Sequence, residues 1–312
     1  MSGDFADALW HLDTQAVRLT PEAHELLEQV WAIRPAAIRS LWAAALGDVA
    51  RETAASGSTS SSRGGGGSAV LRIRGPISRR PSFFSMFFGG TTTEELSAAL
   101  AEAVADPSVG RILLDVDSPG GTTDGIPELT AEIYAARSKK PVIAVIDTTA
   151  ASAAYWLASQ ANEVFMTPSA SVGSIGVFAL HIDQSRMLEA DGLTPTFIWA
   201  GKYKTEGNPL QPLTEDAKAQ MQSRVEAFYG MFLRDVARGR GVPVETVRSE
   251  FGEGRMVMAK DAVARGMADN VRTGAPPAAA AASTSRASID NGALIAVAHA
   301  NASRIQNALS RT

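Results

Sequence analysis

Apolar positions along the chain follow two rhythms, and the change between them falls near residue 69. Up to residue 52 the spacing is helical. Leu26, Leu27, Val30, Trp31 and Ile33 recur behind Thr20 as a candidate N-cap, with Pro21 at the first helical position and Glu22 in the first turn. A second run of the same character covers 36–49. From residue 69 onward the apolar runs become short, continuous and β-rich, at 69–77, 111–118, 141–148, 163–168 and 194–201. Segments with helical spacing lie between and after them, at 93–105, 122–138, 152–161, 184–191 and 214–240. Near-continuous apolar strands alternating with helices predict an α/β domain built on a largely parallel, buried sheet.

Low-complexity tracts divide the chain. The stretch TAASGSTSSSRGGGGS at 53–68 cannot bury enough apolar surface to offset its ordering entropy, so it is expected to be a flexible linker. APPAAAAASTSRAS after Gly274 has the same character. The expected organisation is a helical N-terminal region at 1–52 (a small domain or a docking arm), the linker at 53–68, a main domain at 69–274, and a tail at 275–312. That tail would hold a second linker and a short helix or tail segment.

Composition narrows the chemistry. The net charge of -4 offers no basic field for a phosphate backbone, so nucleic acid is not an expected partner. The absence of cysteine excludes disulfides, thiolate metal sites and a Cys nucleophile. His11, His24, His181 and His299 are too scattered to suggest a metal cluster, and no metal or cofactor is expected. The N-terminus lacks the basic-then-apolar pattern of a secretory signal, and no apolar run approaches the roughly 18 residues of a membrane span. These features predict a soluble chain of the cytoplasm.

Four segments could carry chemistry. DVDSPGGTTDG (115–125) follows an apolar strand and precedes a helix; at Gly120 and Gly121 the missing Cβ lets backbone N–H groups approach a ligand, as an oxyanion hole requires. Its ordinary reading is a glycine-rich turn. TTAASAAYWLAS (148–159) puts Ser152 at a strand-to-helix junction among small residues, where the ordinary reading is an N-cap serine. SASVGSIGVF (169–178) reads as a strand with a glycine bulge, and AGKYKTEGNPL (200–210) as a solvated basic loop.

Together they suggest more. A serine hydroxyl needs a base, and without cysteine and with one histidine in the domain, lysine is the natural candidate. Such a lysine must be brought from an ordinary value near ~10.4 to about 7–8, by burial away from counter-charges. Ser174 could accept from the amine and fix its position. Lys202 and Lys204 lie two apart, and on a strand-like segment both would point the same way. His181 offers a less favoured Ser–His arrangement.

In this order the motifs resemble the signal-peptide-peptidase-A-like serine peptidases: SPGG after an apolar strand, a serine opening a helix, GSIGV, then G-x-x-K before a Pro-containing loop. The spacings, 22 residues from Ser152 to Ser174 and 52 to Lys204, agree with that family and favour Lys204 over Lys202. The resemblance covers about 69–274. It implies Ser152 as nucleophile, Lys204 as general base and Ser174 as the partner of the amine. It further implies an oxyanion hole made by the amides of Gly121 and Ala153, with Gly120 and Gly173 beside the substrate. The implied fold is the Clp-protease/crotonase type of repeated β-β-α units. One departure is Ala153, since glycine commonly follows the nucleophile in this family.

The GKYKxxGNP stretch and the lack of a membrane segment look most like the head maturation proteases of tailed phages and prophages. That branch implies polypeptide substrates, namely scaffold, portal or coat chains and the enzyme itself, and a homo-oligomer working in the host cytoplasm or the assembling procapsid. The 38 residues after Gly274 leave no room for a full scaffold domain. Rival readings are a crotonase-like acyl-CoA enzyme, a catalytically silent capsid-assembly protein, and a host peptide hydrolase. Phe83, Phe84, Met86, Phe87 and Phe88 form an apolar cluster in 79–90, expected at a subunit interface, in a hydrophobic substrate groove, or in the core.

Overall fold

The computed structural model describes residues 31–33, 62–64, 67–81 and 90–273. In chain order the strands are β1 (Trp31–Ile33), β2 (Ser62–Gly64), β3 (Ser68–Arg74), β4 (Ile77–Ser78), β5 (Thr91–Thr92), β6 (Arg111–Ser118) and β7 (Gly120–Thr122). They continue as β8 (Val142–Ala151), β9 (Glu163–Met166), β10 (Ser171–Gly173), β11 (Met256–Met258) and β12 (Asn270–Val271). The helices are α1 (Thr93–Ala105), α2 (Ile126–Ala136), α3 (Ala153–Ala158), α4 (Ser185–Ala190), α5 (Glu215–Arg240), α6 (Val244–Glu250) and α7 (Ala259–Ala264).

The larger sheet runs β11-β10-β8-β6-β3-β2, with β9 also paired to β8 and β12 to β9. Its inner pairs β3/β6, β6/β8, β8/β9 and β8/β10 are parallel; β2 and β11 add antiparallel edges. The smaller sheet has the order β1-β7-β4-β5. Twice the chain goes from a strand of the large sheet into the small sheet and then to a helix: β3 to β4 and β5 to α1, and β6 to β7 to α2. This is the α/β arrangement of β-β-α units expected from the sequence.

One face of the large sheet is fully apolar. Ile73, Ile112, Leu114, Val116, Ala144 and Ile146 pack there in one core with Leu96 and Leu100 of α1 and Leu129 and Ile133 of α2, which Phe232 and Val236 of α5 join through the helix at 153–158. The opposite face holds only a small cluster of Val70, Leu113 and Ile143. Beyond it Arg74 pairs with Asp115 at 2.6 Å and with Asp117 at 3.6 Å. Strand β6, RILLDVDS, therefore runs apolar where both faces are covered and alternates where one face is not.

Three expectations are corrected. Residues 194–201, read as a strand, form no regular element, and among the described residues no strand pairs with them. Trp31–Ile33, read as helical, is a strand, held by partners distant in sequence. Ser62–Gly64, inside the expected linker, pairs with the edge of β3. Gly67 and Ser68 of the expected linker lead into β3, whereas the rest of 1–52, residues 53–61 and 65–66, the phenylalanine cluster at 83–88 and the tail after 273 lie outside the described residues.

Candidate active site

Parallel pairing brings the motifs to one edge, because successive parallel strands end side by side and ligands bind beyond their carboxyl ends. Ser118 at the end of β6 is registered on Ala150 of β8, and Gly173 at the end of β10 on Ala151. The residues just past these ends are Pro119-Gly120-Gly121, Ser152 and Ser174. The geometry thus assembles Ser152, Ala153, Gly173, Ser174, Gly120 and Gly121 in one place.

Ser152 sits on strained backbone at φ 55, ψ -120. Its N–H donates to the Gly173 carbonyl at 2.7 Å, and its own carbonyl accepts the first helical bond, from Trp156 N–H at 2.9 Å. Ser152 occupies the N-cap position of α3, as its ordinary reading has it, but its side chain makes no capping hydrogen bond. Its hydroxyl makes one long contact, donating to Gly176 O at 3.4 Å, and the residue is 0% exposed. Among the described residues, the non-glycine positions with positive φ are Ser152, Ser174 (φ 53) and Glu253 (φ 50). Such conformations cost of order 1–3 kcal/mol each and persist where the surroundings over-determine them, commonly at functional sites. Two of the three are the candidate serines.

The glycines divide the work. Gly120 N–H is taken by Ser118 Oγ at 3.1 Å, and that hydroxyl donates to Gly75 O at 2.6 Å. Gly121 is the other amide of the turn, and a Cβ there would come within 1.8 Å of the Ile77 carbonyl oxygen. Close approach of β4 therefore demands this glycine, independently of any ligand. Gly173 stands at φ 121, where a Cβ would lie 2.6 Å from the Arg255 carbonyl oxygen. Beside it, Ser174 N–H donates to the same carbonyl at 2.9 Å. Ala153, first residue of α3, carries one of the N–H groups that a helix start leaves without an intrahelical partner.

Helix α3 is pinned by buried aromatic residues whose polar tips are all satisfied. Tyr155 donates to Met267 O at 2.9 Å, and burial pushes its phenol far above the ordinary tyrosine range. Trp156 stacks on Phe232 at 4.3 Å and donates its indole N–H to Asp235 at 2.8 Å. Gln160 donates to Trp156 O at 3.2 Å and Asp235 O at 3.0 Å. Gly239 lets α5 approach, since a Cβ there would fall 2.3 Å from Ser159 O. Sequence reasoning did not single out Tyr155, Trp156 or Gln160. The signal was available in two adjacent aromatics just after the candidate serine.

Lys204 stands apart from this cluster. It lies in consecutive turns at 201–207, its N–H donating to Gly201 O at 3.1 Å. Among the described residues, its exposed side chain makes none of the hydrogen bonds or ion pairs. The segment is not strand-like, so Lys202 and Lys204 do not form the expected common face; Lys202 lies over the Tyr203 ring at 4.7 Å. The surrounding arm exposes Leu193, Ile198, Trp199 and Tyr203, with Ile198 at 98%. His181 is half-buried, and among the described residues its Nε2 has no hydrogen-bond partner. Among the described residues no His/Cys/Asp/Glu group has metal-holding geometry, and no helix is long and apolar enough to cross a membrane.

Known proteins are similar to this chain over the segment that holds the two serines and Lys204. The profile described as Peptidase family S49 matches residues 134–286, which include both candidate serines and Lys204. The head-tail preconnector protein GP5 of Enterobacteria phage P21 is 34% identical over 203 residues, 65% of this chain and 40% of that protein. Capsid assembly protease C of Escherichia phage lambda is 34% identical over 203 residues, covering 65% and 46% of the two chains. A putative signal peptide peptidase SppA of Enterococcus faecium is 31% identical over 169 residues, covering 53% and 48%. The matched part spans less than half the length of each of these relatives. Residues 134–286 are thus similar to peptidase family S49, and the likeness to these relatives extends over 53–65% of the chain.

Proposed function

We propose that the chain is a serine endopeptidase in which Ser152 is the nucleophile and Lys204 the general base. The observation that carries this reading is Ser152 itself: buried, on strained backbone, uncapped, and set where the glycine turn of β7 meets the start of α3. A serine that only capped a helix would have no reason to bear that conformation. Ser152 Oγ attacks the scissile carbonyl, and the oxyanion is held by the N–H groups of Gly121 and Ala153. Lys204 takes the hydroxyl proton and returns it to the leaving amine, and Ser174 positions the amine. Water then hydrolyses the ester to release the second product.

The base reaches Ser152 from a second copy of the chain. Lys204 rides on an arm whose Ile198, Trp199 and Tyr203 are exposed, as expected of a surface that docks on a neighbour. Docking would bury the lysine away from water, which a base of this kind requires. Substrates are polypeptides of an assembling phage head, by analogy with the lambda relative named as a capsid assembly protease; the host cytoplasm or the procapsid is the setting. A fluorophosphonate probe and a casein-type substrate test the reading. Wild type should label at Ser152 and cleave, and Ser152→Ala and Lys204→Ala should do neither while remaining folded. A wild-type chain that assembles yet neither labels nor cleaves would leave a silent assembly protein in its place.

A further inference from the structure

Strand β1 has no local reason to exist. Its residues follow a helical pattern, and its partners lie far along the chain. On one side it pairs antiparallel with β7, in the register Trp31↔Thr122, Ala32↔Gly121, Ile33↔Gly120. On the other, Trp31 N–H donates to Phe178 O at 2.9 Å and Phe178 N–H donates to Trp31 O at 3.1 Å. Both flanking segments belong to the candidate site: β7 is the glycine turn, and Phe178 closes the SVGSIGVF run that holds Ser174. Trp31 and Ile33 are 8% and 2% exposed. An extended segment gripped on both edges in this way is how a peptide adds to a sheet edge in recognition.

The register singles out one bond. Backbone groups of successive strand residues face opposite edges. Trp31 turns its N–H and C=O to Phe178, so Ala32 turns its own toward β7, where its partner is Gly121. Because β1 is antiparallel to β7, it advances toward the Pro119-Gly120-Gly121 turn beside Ser152. The carbonyl facing the Gly121 amide is the one an oxyanion hole there would hold.

We infer that residues 31–33 are a built-in substrate and that the chain cuts itself between Ala32 and Ile33. This rests on the Ser152 reading above. Ser152 Oγ bonds to the Ala32 carbonyl carbon, the C–N bond to Ile33 breaks, and the Ile33 nitrogen leaves as an amine with the proton taken from Ser152. Water hydrolyses the ester, giving a carboxylate on Ala32 and restoring the hydroxyl. Until that cut the strand fills the groove, so processing also opens the site to other chains.

The test uses full-length protein, followed by intact mass and N-terminal sequencing, with a fluorophosphonate probe and casein in parallel. Wild type should yield a fragment beginning at Ile33. Ser152→Ala should stay whole, and Ala32→Pro should cut there at least about tenfold more slowly. Hydrogen exchange on Ser152→Ala reads the groove without activity: the amides of Gly121 and Phe178 should be protected, and Ala32→Pro in that background should release them. If wild type labels and cleaves casein but remains whole, or is cut elsewhere, the inference is overturned while the peptidase reading stands. If it neither labels nor cleaves anything, the peptidase reading and the self-cleavage fall together. Unprotected exchange at Gly121 and Phe178 in Ser152→Ala overturns the docking itself.

Discussion

The two ends of the proposed dyad sit in contrasting surroundings. Ser152 heads a helix fixed by Tyr155, Trp156 and Gln160, every polar tip of which is bonded to a neighbouring element. Lys204 sits in a run of turns on an arm whose large apolar side chains face water. The proposed nucleophile is one half, and its strained backbone is held by a dense core. The other half lies where only another surface could bury it.

The comparison can be broken most sharply at the nucleophile. Ser152→Ala should lower peptide hydrolysis by at least about 10³-fold while thermal unfolding stays near wild type, read by steady-state rates and calorimetry. Next comes the anchor. Trp156→Ala removes the stack on Phe232 and the bond to Asp235, and should cost about 3–5 kcal/mol in denaturant unfolding. On the arm, Trp199→Ala should change the unfolding free energy of the isolated chain by no more than about 0.5 kcal/mol, yet reduce self-association in sedimentation. An equally large stability loss there would mean that the arm is packed core and would erase the contrast.

Smaller effects sharpen it further. Ser152→Gly should stabilise by about 1 kcal/mol relative to Ser152→Ala, because glycine accepts φ 55 without the Cβ penalty. Equal stabilities would remove the strain argument. The far end of the anchoring region has a pH signature. Burial works against ionisation of Asp269, but Arg240 and the Val164 N–H outweigh it and hold the carboxyl below its ordinary value. A depressed carboxylate contributes stability above its unfolded value and loses it as pH falls through the folded one. Acid titration of thermal stability should therefore steepen below about pH 4, and Asp269→Asn should flatten that slope.

Much of the scaffold was legible because its signals are local. The runs at 93–105 and 111–118 became α1 and β6 with the same bounds, since a capped amphipathic stretch and an apolar run need little context. The failures are non-local. FIWAG at 197–201 has the composition of a strand, but nothing in the sequence says that no strand will pair with it, and the same residues serve an exposed arm equally well. Trp31–Ile33 fits a helical rhythm until the groove between β7 and Phe178 claims it. At the site, the motifs placed both serines and the glycines in order. The positive φ of Ser152 and Ser174 and the packing demand at Gly121 follow from neighbours that no spacing reveals.

The most direct test mixes two inactive chains. Ser152→Ala keeps its lysine arm and Lys204→Ala keeps its nucleophile, so co-assembly should create sites with both groups. Peptide hydrolysis in the mixture should recover to a sizeable fraction of wild type, on the order of a quarter for random assembly in which each site takes one group from each of two chains. If wild type is active and the mixture stays as inactive as its components, Ser152 and Lys204 do not meet across copies, and the division drawn between the two regions is wrong.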